Sequence, residues 1–161
     1  MKRLIYIAFF CSSCVSPGNN VDNKKADVNI QEQKNTRLLQ NIPYSSDTVN
    51  KLDIYFPTSL NKNNNTIIYV HGGAWCAGDK TEATHWAKYF QNKGYTFVCI
   101  NYRLTHTAQN NVHPAQIQDI DTAIDFILSK SREWEIKKDK LIIMGASAGG
   151  HLALLYAYRY N

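Results

Sequence analysis

Three short apolar runs punctuate the chain: Ile67-Ile68-Tyr69-Val70, Phe97-Val98-Cys99-Ile100 and Leu141-Ile142-Ile143-Met144. A half-exposed strand alternates apolar and polar positions, whereas a strand covered on both faces reads as an unbroken run. The three runs therefore predict buried strands of a parallel sheet. Leu52-Asp53-Ile54-Tyr55-Phe56 alternates instead, which predicts a partly exposed strand that Pro57 ends. Between the runs the period lengthens. A helix is predicted from Glu82 to Asn92, with Thr81 as its N-cap and Gly94 as its stop. A second opens at Pro114 and carries Ile117, Ile120, Ile124, Ile127 and Leu128 on one stripe. A third runs from about Ala148 to Tyr158. Strands alternating with helices imply βαβ units, hence an α/β fold with a mainly parallel sheet flanked by helices.

The N-terminus departs from this pattern. Met1-Lys2-Arg3 is positively charged, Leu4 to Phe10 is uninterruptedly apolar, and Ser12-Ser13-Cys14 supplies small residues. That order predicts an export signal over residues 1–14, with an apolar run too short to span a bilayer. The ending resembles a bacterial lipoprotein signal, in which the cysteine, here Cys14, becomes the lipidated first residue. Cleavage by an ordinary signal peptidase, or an apolar N-terminus with no targeting role, are the alternative readings. Residues 15–37 are rich in Asn, Lys, Asp and Gln and poor in large apolar side chains, so they are expected to form a disordered polar linker. The folded domain is expected over 38–161. The protein is thus expected to be exported, as a periplasmic or cell-envelope lipoprotein with a membrane tether through Cys14, or else secreted.

Composition narrows the function classes. With 161 residues there is room for one domain, and 44% apolar content is that of a globular chain. The net charge of +5 is spread among acidic residues, without the one-sided basic stripe a nucleic-acid site needs. Outside the signal only Cys76 and Cys99 remain, with no Cys/His spacing that would hold a metal. Cys99 lies in a buried run and reads as a small core residue.

Two glycine-rich segments carry the candidate chemistry, each directly after a buried-strand run. Gly145-Ala146-Ser147-Ala148-Gly149-Gly150 follows Met144 and opens a helix. A serine on so tight a strand-to-helix turn is a nucleophile elbow, in which the flanking residues must be small; Gly145 and Gly149 meet that need. Ser147 is then the candidate nucleophile, held near a helix N-terminus that favours developing negative charge. His71-Gly72-Gly73-Ala74-Trp75 follows Val70. Acyl transfer passes through an oxyanion that preorganised N–H groups stabilise, and a loop of small residues lets such groups converge. Gly72, Gly73 and Ala74, with Ala148 from the elbow, are the candidate oxyanion hole. His71 reads as a histidine that braces the loop rather than as the base.

Together with Gly78-Asp79-Lys80, Asn101-Tyr102-Arg103-Leu104 and the upstream Leu-Asp-Ile-Tyr-Phe-Pro, these motifs resemble the carboxylesterase and feruloyl-esterase-like branch of the α/β-hydrolase superfamily, related to the hormone-sensitive-lipase group. The resemblance runs from about Tyr44 to the end. It implies an acyl-enzyme on Ser147, a small-molecule ester substrate, and no metal or organic cofactor. It also implies an Asp and a His after the serine. The fourteen residues beyond Ser147 hold no carboxylate, and their one histidine, His151, sits a turn along the same helix. The chain is therefore expected to be the N-terminal part of the fold, inactive by itself, with the strand ending at Met144 lacking its next neighbour. An amide-directed hydrolase such as a formamidase or peptidase, and a non-catalytic lipoprotein fragment, are the competing readings. Trp75 and Tyr102 are candidates to line the cleft.

Overall fold

The computed structural model describes residues 4–9, 37–60, 64–106 and 111–160. Cys14 and nearly all of the expected linker lie outside the described residues. No helix among the described residues is long and apolar enough to cross a membrane.

Six strands form one mixed sheet: β1 (Leu4–Phe9), β2 (Leu38–Pro43), β3 (Lys51–Tyr55), β4 (Thr66–Val70), β5 (Thr96–Ile100) and β6 (Leu141–Ala146), in the order β1-β6-β4-β5-β3-β2. β1, β6, β4 and β5 run parallel, while β3 and β2 are antiparallel additions at one side. The helices are α1 (Thr84–Asn92), α2 (Ala115–Ser129) and α3 (Ala148–Tyr160). Every residue of β4 and β5 is buried, as continuous apolar runs require when helices cover both faces. One core packs Ile68, Val70, Val98 and Ile100 against α2 and α3; the other packs Ile67, Tyr69, Phe97 and Cys99 against Ala83 and Ala87. On α2 the stripe Ile117, Ile120, Ile124 and Ile127 is fully buried. Each isoleucine contributes roughly 1.5–3 kcal/mol.

From β4 the chain passes through α1 to β5 on one side; from β5 it passes through α2 to β6 on the other. The carboxyl ends of β4 and β6 therefore flank a topological switch point, where open α/β sheets leave a crevice.

Three expectations require correction. β3 is not partly exposed: Leu52, Asp53, Ile54 and Tyr55 are all buried, because β3 lies between β2 and β5. The polar Asp53 that made the run look alternating is a buried, paired carboxylate. Thr81 does not cap α1: the side-chain cap is Asp79, at the start of a 3-10 turn, and α1 itself follows Ala83 with no side-chain cap. The Asp79 side chain accepts from the Thr81 N–H at 2.8 Å, and Glu82 returns a bond to the Asp79 N–H at 3.1 Å. This capping box starts a 3-10 turn, Lys80–Ala83, that leads into α1. Finally, β6 does not lack an outer neighbour. The apolar run read as a signal supplies β1, which pairs in parallel with β6 from Leu4–Leu141 to Phe9–Ala146.

Candidate active site

β6 ends at Ala146, and Ser147 stands alone between it and α3. Its φ of 49° lies in the left-handed region, which a side chain other than glycine adopts only under strain. The serine is exposed while the residues on either side of the turn are buried or half-buried. The two elbow glycines are obligatory for a packing reason. A Cβ on Gly149 would strike the carbonyl oxygens of Val70 and His71, and one on Gly145 would strike the Gly149 carbonyl. The first turn of α3 thus lies directly on the end of β4. Ala148 opens α3, so its N–H is among those an α-helix leaves without an intrahelical acceptor.

The loop after β4 abuts this elbow. A Cβ on Gly72 would lie 3.0 Å from the Ala146 carbonyl oxygen and 3.4 Å from the Ser147 Cβ. Beyond it Gly73, Ala74 and Trp75 all have positive φ, at 98°, 50° and 62°. The Gly73 carbonyl accepts from the Cys76 and Ala77 N–H groups, at 3.1 and 2.9 Å, which closes the turn. The N–H groups of Gly73 and Ala74 donate to no backbone carbonyl among the described residues. The structure therefore sets Gly72 against Ser147, with Gly73 and Ala74 next along the loop and Ala148 next along α3.

The histidines occupy other positions. His71 is 1% exposed; its Nδ1 donates to the Gly72 carbonyl at 2.8 Å, and its ring stacks on Tyr102 at 4.3 Å between centroids. Burial lowers its proton affinity, outweighing the Gly72 bond, so the ring is neutral at neutral pH. His151 is exposed, and its ring meets Trp75 edge-on at 5.5 Å. No hydrogen bond joins either ring to the Ser147 hydroxyl among the described residues.

The glycine loop is braced by a network that motif reading leaves without a role. Tyr102, 1% exposed, donates from its hydroxyl to the His71 carbonyl at 3.1 Å. Asn101 joins three elements: its Oδ1 accepts from the Lys80 N–H at 2.6 Å, its Nδ2 donates to Asp79 at 2.8 Å, and its carbonyl accepts from the Tyr44 hydroxyl. Burial pushes the Asp79 carboxyl up, but bonds from Thr81 and Asn101 and the Lys80 charge hold it at about 2. Below them Lys80 Nζ meets Asp53 Oδ2 at 2.9 Å, with the two side chains 6% and 2% exposed. Asp53 Oδ1 accepts from the Asn41 N–H at 2.7 Å, where Asn41 has a positive φ within the irregular β2–β3 pairing. Arg103 grips Asp119 on α2 through Nε and Nη2. One signal for this network is present in the sequence: a carboxylate inside a strand, at Asp53, demands a buried cation.

Two hollows border the loop. The larger, about 590 Å³, carries Asp47, Asp79, Arg103 and His106. The smaller, about 370 Å³, lies beside Trp75 and His151.

Residues 52–161, more than half of the chain, match the BD-FAE family model. The chain is 27% identical to an Arabidopsis thaliana protein described as probable isoprenylcysteine alpha-carbonyl methylesterase, over 71% of this chain and 23% of that one. It is 30% identical to the kynurenine formamidase of Salmo salar, over 74% of this chain and 38% of the relative. Among solved structures, esterase B from Lactobacillus rhamnosis superposes with a TM-score of 0.67 at 30% identity, covering 76% of this chain and 39% of the esterase. The chain thus spans well under half the length of each of these relatives.

Proposed function

Because the chain belongs to the BD-FAE family of α/β hydrolases, we propose that Ser147 is the nucleophile of an enzyme that cleaves carboxylic esters through an acyl-enzyme. The observation that carries this reading is the strained, exposed Ser147 between β6 and α3, abutted by the glycine loop. Its hydroxyl attacks the ester carbonyl and yields its proton to a base. The carbonyl oxygen takes the negative charge, held by the N–H groups of Gly73, Ala74 and Ala148. Collapse expels the alcohol with that proton and leaves the acyl group on Ser147. Water, deprotonated by the same base, then releases the acid.

Neither His71 nor His151 serves as that base in this reading. His71 is buried with its Nδ1 on the Gly72 carbonyl and its ring stacked on Tyr102, and His151 lies beside Trp75. An Asp/His pair outside these 161 residues completes the relay, so the chain by itself forms no acyl-enzyme. Labelling with a fluorophosphonate probe, which requires an activated serine, tests both parts. Enzyme containing the pair should be labelled on the peptide that holds Ser147, and Ser147→Ala should abolish the label. The 161-residue chain alone should give no burst with an activated ester. Labelling that survives Ser147→Ala would refute the assignment, as would rapid turnover by the chain alone refute the need for the pair.

The formamidase relative supports a second reading, cleavage of an acyl C–N bond by the same machinery. Matched ester and amide substrates separate the two, since ester preference by at least tenfold in kcat/KM is expected under the first.

Export with a tether through Cys14 is also proposed, on the charged, apolar and small-residue order of the first 14 residues. Growth with radiolabelled palmitate should label the protein in a bacterial host, and Cys14→Ser should remain unlabelled. Equal labelling of both would exclude the anchor.

A further inference from the structure

Helix α1 turns one side to the sheet and the other to solvent. Ala87 and Gln91 are buried, whereas His85, Trp86, Lys88, Tyr89 and, just past the helix end, Lys93 are exposed. Trp86 and Tyr89 are 47% and 50% exposed, although rings of that size ordinarily gain most from burial. At about 100° per residue, Tyr89 lies near the middle of the exposed arc, with Trp86 and Lys93 towards one edge and Lys88 at the other. The rings are held from beneath. Trp86 meets Tyr89 and Phe90, each at 6.4 Å between centroids, and Phe90 stacks on Phe97 of β5 at 5.6 Å. A run of ring contacts thus ties the surface aromatics to the core.

Charge selects what this face can meet. No Asp or Glu occurs from Ala83 to Tyr95, so the two exposed lysines there have no carboxylate on their own helix. Glu82, which precedes that stretch, accepts instead from the Asp79 N–H at 3.1 Å. Lys93 Nζ stands 5.9 Å from the centre of the Tyr89 ring, which puts cation and aromatic ring at one level of the surface. Apolar rings flanked by lysines at both edges match the interface of an anionic bilayer. There Trp and Tyr sit between acyl chains and headgroups, while ammonium groups meet lipid phosphates. Other occupants fit less well. A saccharide platform needs rings lying in one plane, and the planes of Trp86 and Tyr89 are 85° apart. A second copy related by a two-fold axis would bring like charges together.

We propose that α1 docks on an anionic phospholipid surface, with Trp86 and Tyr89 in the interface and Lys88 and Lys93 on the phosphates. The proposal deepens the membrane tether proposed above by naming the face that the domain turns to the bilayer. The contact itself is a property of α1 and needs no lipid on Cys14. Because α1 covers the opposite face of the sheet from α2 and α3, docking turns those two helices away from the membrane.

The test uses the Cys14→Ser chain, which carries no acylated cysteine at that position. Co-sedimentation compares vesicles of phosphatidylcholine alone with vesicles holding about 30% phosphatidylglycerol. The anionic vesicles should bind at least about tenfold tighter, and added salt should weaken that binding. Trp86→Ser combined with Tyr89→Ser should lower affinity about tenfold, and Lys88→Gln with Lys93→Gln should remove most of the preference for anionic lipid. A cooperative urea transition reports that each variant folds. Lipids brominated in the upper acyl chain should quench tryptophan emission, and Trp86→Phe should still bind but lose the quenching. Binding unaltered by either pair of substitutions would overturn the proposal. So would quenching that persists in Trp86→Phe, which would put another tryptophan at the membrane. Binding by this chain but not by the longer enzyme that contains the Asp/His pair would also overturn it, because α1 would then be covered within the protein. Absence of palmitate on Cys14 leaves all these outcomes unchanged, so the tether and the docking face fail separately.

Discussion

In the enzyme that contains the proposed Asp/His pair, replacing Ser147 by glycine is expected to abolish ester hydrolysis and, at the same time, to make the protein more stable. The catalytic loss is at least about 10⁴-fold in kcat/KM, since without the nucleophile only binding and oxyanion stabilisation remain. The gain in stability follows from the φ of 49° at this position. A left-handed side-chain-bearing residue costs of order 1–3 kcal/mol, and glycine adopts the same conformation without that strain. Glycine also frees the unfolded chain, which returns about 0.5–1 kcal/mol of the gain. A net stabilisation of about 1 kcal/mol is expected from urea unfolding. Ser147→Ala is the comparison that isolates the cause, for it loses the hydroxyl but keeps the Cβ. It should be equally inactive and close to wild type in stability. If Ser147→Gly were no more stable than Ser147→Ala, the turn would not be strained and the case for an elbow would weaken.

The second large effect is expected far from the serine. Lys80→Met should destabilise the protein by about 3–5 kcal/mol, because it leaves the Asp53 carboxylate buried without its cation. Asp53→Leu should cost a similar amount by stranding Lys80. The double variant should recover most of the loss, to within about 1–2 kcal/mol of wild type, since both buried charges are then gone. The residual arises from the Asn41 N–H, which loses its acceptor. Single-variant losses that simply add in the double variant would contradict the pairing. The pair also fixes the segment from which Asn101 and Asp79 brace the glycine loop. Loosening it should therefore lower kcat of the active enzyme more than it raises KM.

How much of this was legible from residues alone depends on how local each requirement is. The runs that became β4, β5 and β6 declared themselves because burial on both faces leaves no alternation to misread. The elbow was equally plain, for its glycines answer clashes within a few residues or with an adjacent strand end. β3 differs from its sequence pattern because a polar residue in a strand looks like exposure until its partner is known, and Lys80 lies 27 positions away. The bracing of the loop was illegible for the same reason: Asn101 reaches Lys80 across 21 positions, and Tyr44 reaches Asn101 across 57. Thr81 reads as the cap because it directly precedes the helical pattern. The capping-box spacing of Asp79 and Glu82 was there to be read, but a 3-10 entry displaces the cap by two residues. Nor does an apolar hexamer announce its surroundings, since the same composition suits a translocon or the margin of a sheet.

That last ambiguity has a temporal side. Leu4 aligns with Leu141 and Phe9 with Ala146, so this ladder cannot close until the chain has been synthesised through Ala146. At roughly 5–20 residues per second, the leading segment stays unclaimed for several seconds or longer. Export as proposed would have to be engaged within that interval. Under that proposal, a chain whose β1 pairs first would conceal its own address in the sheet and be retained, whereas one captured early would leave that margin of β6 open. Matters as remote from the active site as ribosome speed and translocon supply would then set the ratio of the two populations.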